Sequence, residues 1–479
     1  MKSKVLLINP SFKREEQYGE FQDLVRKGIP LSLGFLAGYL LEKGVEVKIV
    51  DEQWGALTDE KIKELIGQFQ PSLVGITSLT PVVYRSFQLA QQLKKVAPEI
   101  TVILGNVHPT ILPEESLKNE FVDIVVRGEG EVTLWECVQY REGKKDIRDI
   151  PGVSYKREGE IVHNKARPYE KDLDKFPRLA YEHICDSIPL PDFVPTMILT
   201  SRGCPYRCIF CSSRDISGYV YRMLSPRRVV EDVEFLIEKY DIKGLWIADD
   251  NFVVNKKRTE EICRLFMERG INRKVTWGCQ TRGDAIDGQI LEVMKEAGCV
   301  NISFGIETGS QRLLDMIDKN EKVEDNARAV RLTNQAGIMT RGAFILGLPT
   351  ETRAETIQTI KFAKSLPLDV AKFALATPYP GTELYNMAVK EGVDVQEDWS
   401  SLSTMTGISR YEASYVPRGR TSKELKNLQL RALLEFYLRP KQISAILKGE
   451  NVEIKIKSYK EIGKYFMVVL RLLKKVFFN

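Results

Sequence analysis

Three cysteines, Cys204, Cys208 and Cys211, fall within eight residues, directly after an apolar run (197–200) and a Ser-Arg-Gly turn. Three thiolates on one short loop can wrap a single inorganic centre but cannot close a four-ligand cage, so one coordination position stays open. A structural zinc site wants a fourth Cys or His at short spacing. The nearest are Cys185, Cys263 and His183, all too far along the chain. An iron–sulfur cluster with one iron free of cysteine fits the spacing better.

The chain has 479 residues, 43% of them hydrophobic, enough for about three domains with ordinary cores. Its other five cysteines (Cys137, Cys185, Cys263, Cys279, Cys299) are scattered, which is no disulfide framework and points to a reducing, cytoplasmic setting. The start of the chain is basic, but its apolar run ends after four residues at Asn9 and Pro10, as a first strand does and a signal peptide does not. No stretch approaches the ~18 apolar residues of a membrane span. The net charge of +5 lies entirely in residues 451–479, where seven Lys or Arg face two acids. The body of the chain therefore offers no basic face for nucleic acid. In that tail, Tyr465-Phe-Met-Val-Val-Leu470 and its basic neighbours Lys464, Arg471, Lys474 and Lys475 predict peripheral contact with the inner face of a membrane, and with it a small, lipid-like substrate. A terminal helix packed on the protein body would carry the same pattern.

Residues 1–142 alternate apolar strands (5–8, 45–50, 73–77, 102–104, 124–126) with helix-period segments (33–41, 58–69, 84–96, 132–140), predicting a doubly wound parallel α/β sheet. Such sheets bind ligands beyond the carboxyl ends of their strands, where Thr77, Ser78, Gly105, Asn106, His108, Gly128 and Glu129 fall. No Gly-x-Gly-x-x-Gly follows the first strand, so a dinucleotide is not the expected ligand. From 143 to 191 the periodicity breaks into a linker with a small hairpin around Arg157-Glu158-Gly159. Residues 192–390 resume the alternation with six strands, at 197–200, 245–247, 275–280, 301–305, 341–346 and 371–375. The remainder, 391–479, reads as a mostly helical region ending in the basic tail.

Cys204-x3-Cys208-x2-Cys211, with Phe210 as the aromatic residue before the last cysteine, resembles the signature of the radical S-adenosylmethionine (SAM) superfamily. The resemblance implies a 4Fe-4S cluster whose open iron chelates the amino and carboxylate groups of SAM, reductive cleavage to a 5'-deoxyadenosyl radical, and a partial six-stranded β/α barrel with its chemistry at the strand carboxyl ends. It places Asp249 and Asp250 at the turn that meets the SAM amino group, Arg282 and Glu307 near its carboxylate or ribose, and Gly347 in the adenine-side turn. Taken residue by residue, Asp249 and Asp250 also suit a solvated turn or helix cap, and Arg282 with Glu307 a plain ion pair.

The first segment resembles the cobalamin-binding domain of one branch of that superfamily. The matching stretches are Pro30-Leu-Ser-Leu-Gly34, Tyr39-Leu-Leu-Glu-Lys-Gly44, Val74-Gly-Ile-Thr77, Gly105-Asn-Val-His-Pro-Thr110 and Val125-Val-Arg-Gly-Glu-Gly-Glu-Val-Thr133. Other cobalamin carriers ligate cobalt through Asp-x-His-x-x-Gly, yet none of the three histidines here follows Asp at that spacing. The resemblance thus implies cobalamin held without a histidine lower ligand. His108, the one candidate near the ligand face, otherwise reads as a loop residue bonding backbone or solvent.

Together these features imply a cobalamin-dependent radical SAM enzyme, reduced by a donor such as flavodoxin or ferredoxin, that activates a C–H bond for methyl transfer via methylcobalamin. The same organisation resembles the anaerobic Mg-protoporphyrin monomethyl ester cyclase, which oxidises instead. A methylthiotransferase would need a second cluster in its first domain, where Cys137 stands alone. A non-catalytic cobalamin sensor would need no cluster cysteines.

Overall fold

The computed structural model describes residues 3–11, 28–185, 196–393, 395, 398–402 and 412–447. The basic tail and its expected membrane contact lie outside the described residues. Among the described residues no helix is long and apolar enough to cross a membrane.

Seven strands form the first sheet: β1 (Lys4–Asn9), β2 (Glu46–Asp51), β3 (Leu73–Thr77), β4 (Thr101–Gly105), β5 (Ile124–Val126), β6 (Val153–Arg157) and β7 (Glu160–His163), in the order β2-β1-β3-β4-β5-β6-β7. The first five are parallel. Alternation along β1 sends Val5 and Leu7 into one core and Leu6 and Ile8 into the other. Helices Leu31–Glu42 and Glu131–Arg141 cover the first face through Leu33, Ala37, Leu40, Leu134 and Val138. Helices Asp59–Phe69 and Val83–Val96 cover the second through Ile62, Ile66, Leu89 and Leu93. β3, at the centre, is buried at every position, as a strand covered on both faces must be. The chain reverses direction across the sheet between β1 and β3, the place where open α/β sheets bind their ligands. The hairpin expected in the linker is present as β6 and β7, and it pairs antiparallel to β5, so it extends this sheet.

The second sheet is built from β8 (Thr196–Ile198), β11 (Gly244–Ile247), β12 (Thr276–Thr281), β13 (Cys299–Glu307), β14 (Met339–Leu346) and β15 (Val370–Leu375), all parallel and adjacent in chain order. Between β8 and β11 a two-residue ladder joins β9 (Ser201–Arg202) to β10 (Arg222–Met223). Strictly sequential parallel strands put every right-handed crossover helix on one side, which is the winding of a partial barrel. The core on that side centres on Trp277, with Phe252 and Phe266 meeting its ring edge-on. β13 runs two residues past its expected end, because a bulge between Gly305 and Glu307 lets the strand continue to Glu307. A C-terminal helix, Ser422–Tyr437, closes the far edge against β15, where Gln429 donates to the Phe373 carbonyl at 2.5 Å and the Tyr437 hydroxyl to that of Ala371 at 3.0 Å.

Close packing of the linker on the first helix has a direct test. A Cβ added at Gly38 would lie 2.4 Å from the Arg178 carbonyl oxygen, whereas one at Gly67, in helix Asp59–Phe69, meets nothing within 4 Å. Gly38→Ala is expected to destabilise the protein by ~1–3 kcal/mol, and Gly67→Ala to stabilise it by ~0.5–1 kcal/mol, both read from urea midpoints.

Candidate active site

The cysteine loop grows out of β8 and is fixed at its root by one carboxylate. Asp249, fully buried, accepts from Thr200 N (2.6 Å) and Ser201 N (3.1 Å) on one oxygen and from the Thr200 and Ser201 hydroxyls (both 2.6 Å) on the other. Burial nevertheless holds its pKa above the ordinary carboxylate value. Asp249 is therefore neither a solvated turn nor a helix cap, and its carboxylate is committed to the root of the loop. Asp250 is exposed and accepts from the Ser213 hydroxyl at 2.5 Å. Gly203 follows at φ +83, and a Cβ there would meet the Val220 carbonyl at 2.4 Å, so only glycine fits.

Within the loop, Ile209 N donates to the Ile317 carbonyl (3.1 Å) and the Ile209 carbonyl accepts from Leu384 N (2.9 Å). Ile209 and Phe210 pack on a core that includes Leu313, Leu314 and Leu384. The aromatic residue before the last cysteine thus anchors the loop. Cys204, Cys208 and Cys211 are free thiols, partly exposed, and burial raises the pKa of each, that of Cys211 to about 12. Binding iron as thiolates must displace these protons. Cys137, Cys263, Cys279 and Cys299 are buried in the cores of the two sheets.

Arg282 and Glu307 do not pair with each other. Arg282 makes a two-pronged bond to Asp284 (3.0 and 2.8 Å), donates to the carbonyls of Lys319 (2.6 Å) and Asn320 (2.9 Å), and lies 3.7 Å over the Tyr206 ring inside the cysteine loop. Glu307, in a left-handed conformation (φ +64), accepts from buried Lys319 at 2.8 Å. That pair folds back over Gly305, where a Cβ would sit 2.6 Å from the Glu307 carboxylate and 3.1 Å from Lys319 Nζ. Lys319, whose pKa rises beside Glu307 despite burial, is absent from the sequence reading because it sits in an Asp-Lys-Asn turn with no motif around it. Gly347 (φ +79) turns against Leu425 of the C-terminal helix, 3.1 Å from where its Cβ would be.

At the ligand face of the first sheet, Asn106 (φ +88) donates to the Thr77 hydroxyl at 2.7 Å, and Thr110 links the Asn106 carbonyl (2.7 Å) to Gly128 N (3.0 Å). Ser78 is buried and bonded to Ser86 at 3.0 Å. Gly128 (φ +76) has open space where a side chain would stand. Glu129, in the loop after β5, is held by two arginines. It accepts from Arg222 at 2.6 and 3.0 Å and lies 3.4 Å from Arg202, while Glu131 accepts from Arg202 at 2.6 Å. Both arginines belong to the β9–β10 ladder, and the short helix Val107–Ile111 packs on Ser213–Ser217, the helix following Cys211. The carboxyl ends of the two sheets therefore face each other across the cysteine loop.

A family model for the radical SAM superfamily matches residues 198–363, and one for the B12 binding domain matches residues 23–138. An uncharacterized methyltransferase of Pyrococcus horikoshii is 35% identical over 416 residues, covering 86% of this chain and 89% of that protein. The anaerobic magnesium-protoporphyrin IX monomethyl ester cyclase of Rubrivivax gelatinosus is 30% identical over 80% of this chain and 69% of its own length. The chain belongs to the cobalamin-binding radical SAM enzymes. In fold it resembles the radical SAM methyltransferase TsrM of Kitasatospora setae, solved with cobalamin and a 4Fe-4S cluster, at a TM-score of 0.75 and 16% identity, with 99% of each chain covered. It also resembles the cobalamin-dependent radical SAM enzyme OxsB, solved with aqua-cobalamin and SAM, at a TM-score of 0.75 and 20% identity, covering 99% of this chain and 72% of that one.

The cofactors of this radical SAM enzyme are a 4Fe-4S cluster, SAM and cobalamin. Its residues fit them: three free thiols share one pinned loop, and the Gly128 strand end leaves room opposite it. His108 differs from its expected setting. It lies in a helix, fully buried, with neither ring nitrogen hydrogen-bonded among the described residues. The Trp399 ring meets it edge-on at 5.7 Å, and the Glu115 carboxylate, 3.9 Å from Nε2, takes its hydrogen bond from the Trp399 indole at 2.6 Å.

Burial lowers the His108 pKa from 6.5 to about 4. Between those values the unfolded chain takes up a proton that the folded protein refuses. His108 therefore costs nothing above pH 6.5 and removes stability as the pH falls toward about 4, by up to ~3 kcal/mol. His108→Phe should flatten this acid limb in the cofactor-free protein, measured as the change in urea midpoint between neutral and acidic pH. An unchanged limb would mean that the imidazole protonates within the fold.

Proposed function

We propose that the enzyme transfers a methyl group derived from SAM to an unactivated carbon of a small-molecule substrate held between the two sheets. One observation carries this reading: helix Val107–Ile111 at the cobalamin-binding face packs on helix Ser213–Ser217, which follows the last cluster cysteine. A methyl carrier and a radical source that must both reach one carbon need to share one enclosed space. When bound, the cluster supplies the electron that cleaves SAM, and cobalamin supplies a carrier for the methyl group.

The chain's own residues do the positioning. Cys204, Cys208 and Cys211 would hold the cluster, while Asp249 and the Ile209 backbone bonds fix the shape of the loop that carries the three thiols. Ile209 and Phe210 keep water from that side of the loop. Arg282 holds Tyr206 and uses its guanidinium on Asp284 and two carbonyls, so its role toward SAM is to set the loop's shape. Of the expected SAM-contacting side chains, exposed Asp250 and the Glu307 carboxylate with its Lys319 partner remain beside the loop, where the charge of Lys319 acts on Cys208. Thr77 and Asn106 offer polar atoms to cobalamin at the opposite strand ends.

The relative at 30% identity that carries out a cyclisation supports a second reading, oxidation without net methylation. Labelled SAM separates the two. Anaerobically reconstituted enzyme given methyl-labelled SAM and a reducing donor should transfer label to substrate; 5'-deoxyadenosine with no label in product would establish the oxidative reading. Cys204→Ala should abolish iron-dependent absorbance and SAM cleavage, and Cys263→Ala, altering a core thiol, should retain both.

The basic, apolar tail of residues 451–479 supports a hydrophobic substrate reached at an anionic lipid surface. Full-length protein should co-sediment with anionic vesicles while a truncation after Asn451 stays in solution. Equal partitioning of the two would remove the membrane contact.

A further inference from the structure

We propose that Glu129, in the loop after β5, and Glu131, which begins the next helix, are positioning residues that set the separation between bound cobalamin and the cluster, acting through Arg202 and Arg222. β9 and β10 are antiparallel with Arg202 directly opposite Arg222, an arrangement that sends two guanidinium groups to the same face. Like charges placed directly opposite repel, and both are nearly enclosed, with side chains 11% and 3% exposed. The carboxylates resolve the conflict: Glu129 reaches both arginines and Glu131 pairs with Arg202. Rings on either side hold the forks in register, with Phe35 and Phe176 each 5.1 Å from the Arg202 guanidinium and Tyr169 at 4.7 Å from that of Arg222.

What makes this a positioning device is where its two ends lead. On one side, Arg202 is separated from Cys204 only by Gly203, whose left-handed conformation and closeness to the Val220 carbonyl leave no room for a side chain. On the other, Glu129 follows Gly128, whose N–H is bonded through Thr110 to Asn106 and so to Thr77. An unbroken line of short bonds thus runs from the cobalamin-binding strand ends to the first cluster ligand. None of the four charged side chains needs to touch a cofactor. Cobalamin and cluster each bind one end of a rigid connection, and removing the charge from its middle frees the two sheets to shift relative to each other.

The test uses the full chain loaded anaerobically with cluster and cobalamin, reduced so that cobalt and cluster are both paramagnetic. Pulsed electron paramagnetic resonance then reads their separation, independently of whether the enzyme methylates or oxidises. The wild type should give a single narrow distance. Glu129→Gln/Glu131→Gln should broaden it about twofold or more, because buried arginines left without counter-charges move to find solvent. Glu136→Gln, which disturbs a different, partly buried ion pair, between helix Glu131–Arg141 and Arg167, should leave the distance narrow even where it lowers the melting temperature. If the double variant does not fold, Arg202→Lys, keeping the charge but not the two-pronged geometry, should broaden the distance in the same way. Wild-type width in Glu129→Gln/Glu131→Gln, or in Arg202→Lys where the double variant does not fold, would overturn the proposal.

Discussion

A single buried carboxylate governs the geometry on which the chemistry rests. Asp249 lies just beyond the carboxyl end of β11 and takes four hydrogen bonds from Thr200 and Ser201, which follow the neighbouring β8. A loop carrying three thiols has many conformations available to it, and most would scatter them. Because both backbone N–H groups leaving β8 are tied to the adjacent strand, the loop departs in one direction, and Gly203 can then make its left-handed turn. Arg258, donating to the Thr200 carbonyl at 2.8 Å and to that of Leu224 at 2.9 Å, stands near enough to offset the buried charge of Asp249. Removing Asp249 would leave two buried N–H donors and a buried arginine uncompensated, a combination costing several times a single hydrogen bond.

The two sheets were legible because their strands are buried on both sides or backed by helices, and continuous apolar runs bounded by Gly, Pro and Asn leave few other readings. The cysteine loop was legible for a different reason, since ligand spacing is local. What escaped were partnerships set by distant residues. Glu307 was read as a SAM contact, with an ion pair to Arg282 as the plain alternative; beyond a bulge in β13 it pairs with Lys319, twelve residues on, in a turn whose sequence carries no signal. Glu129 looked like a ligand residue by its place after β5, and only the folded chain brings Arg202 and Arg222 to it. His108 was misplaced because its neighbour Pro109 reads as a turn; here that proline continues a short helix, and the covering Trp399 comes from nearly 300 residues away.

These misses share a cause. Local pattern reports which face of an element is apolar, but a charged residue near an element's end can turn toward solvent, a cofactor or another domain with the same local sequence. The choice belongs to tertiary packing, and in this enzyme it favours contacts between the sheets.

Trp399 has a consequence for how the protein is made. Its indole bonds Glu115, its backbone N–H reaches the Tyr84 hydroxyl at 3.4 Å, and its ring covers His108, so a segment synthesised late completes a sheet whose strands leave the ribosome early. A first sheet assembled during translation, as sequential domains are, would lack the ring that covers His108. Only when the barrel has been synthesised and has folded back does the closing residue arrive, across a loop whose closure entropy grows slowly with its length. Dehydration of His108 is thus tied to a segment synthesised nearly 300 residues after it, so the burial of this imidazole reports the docking of the two halves of the chain.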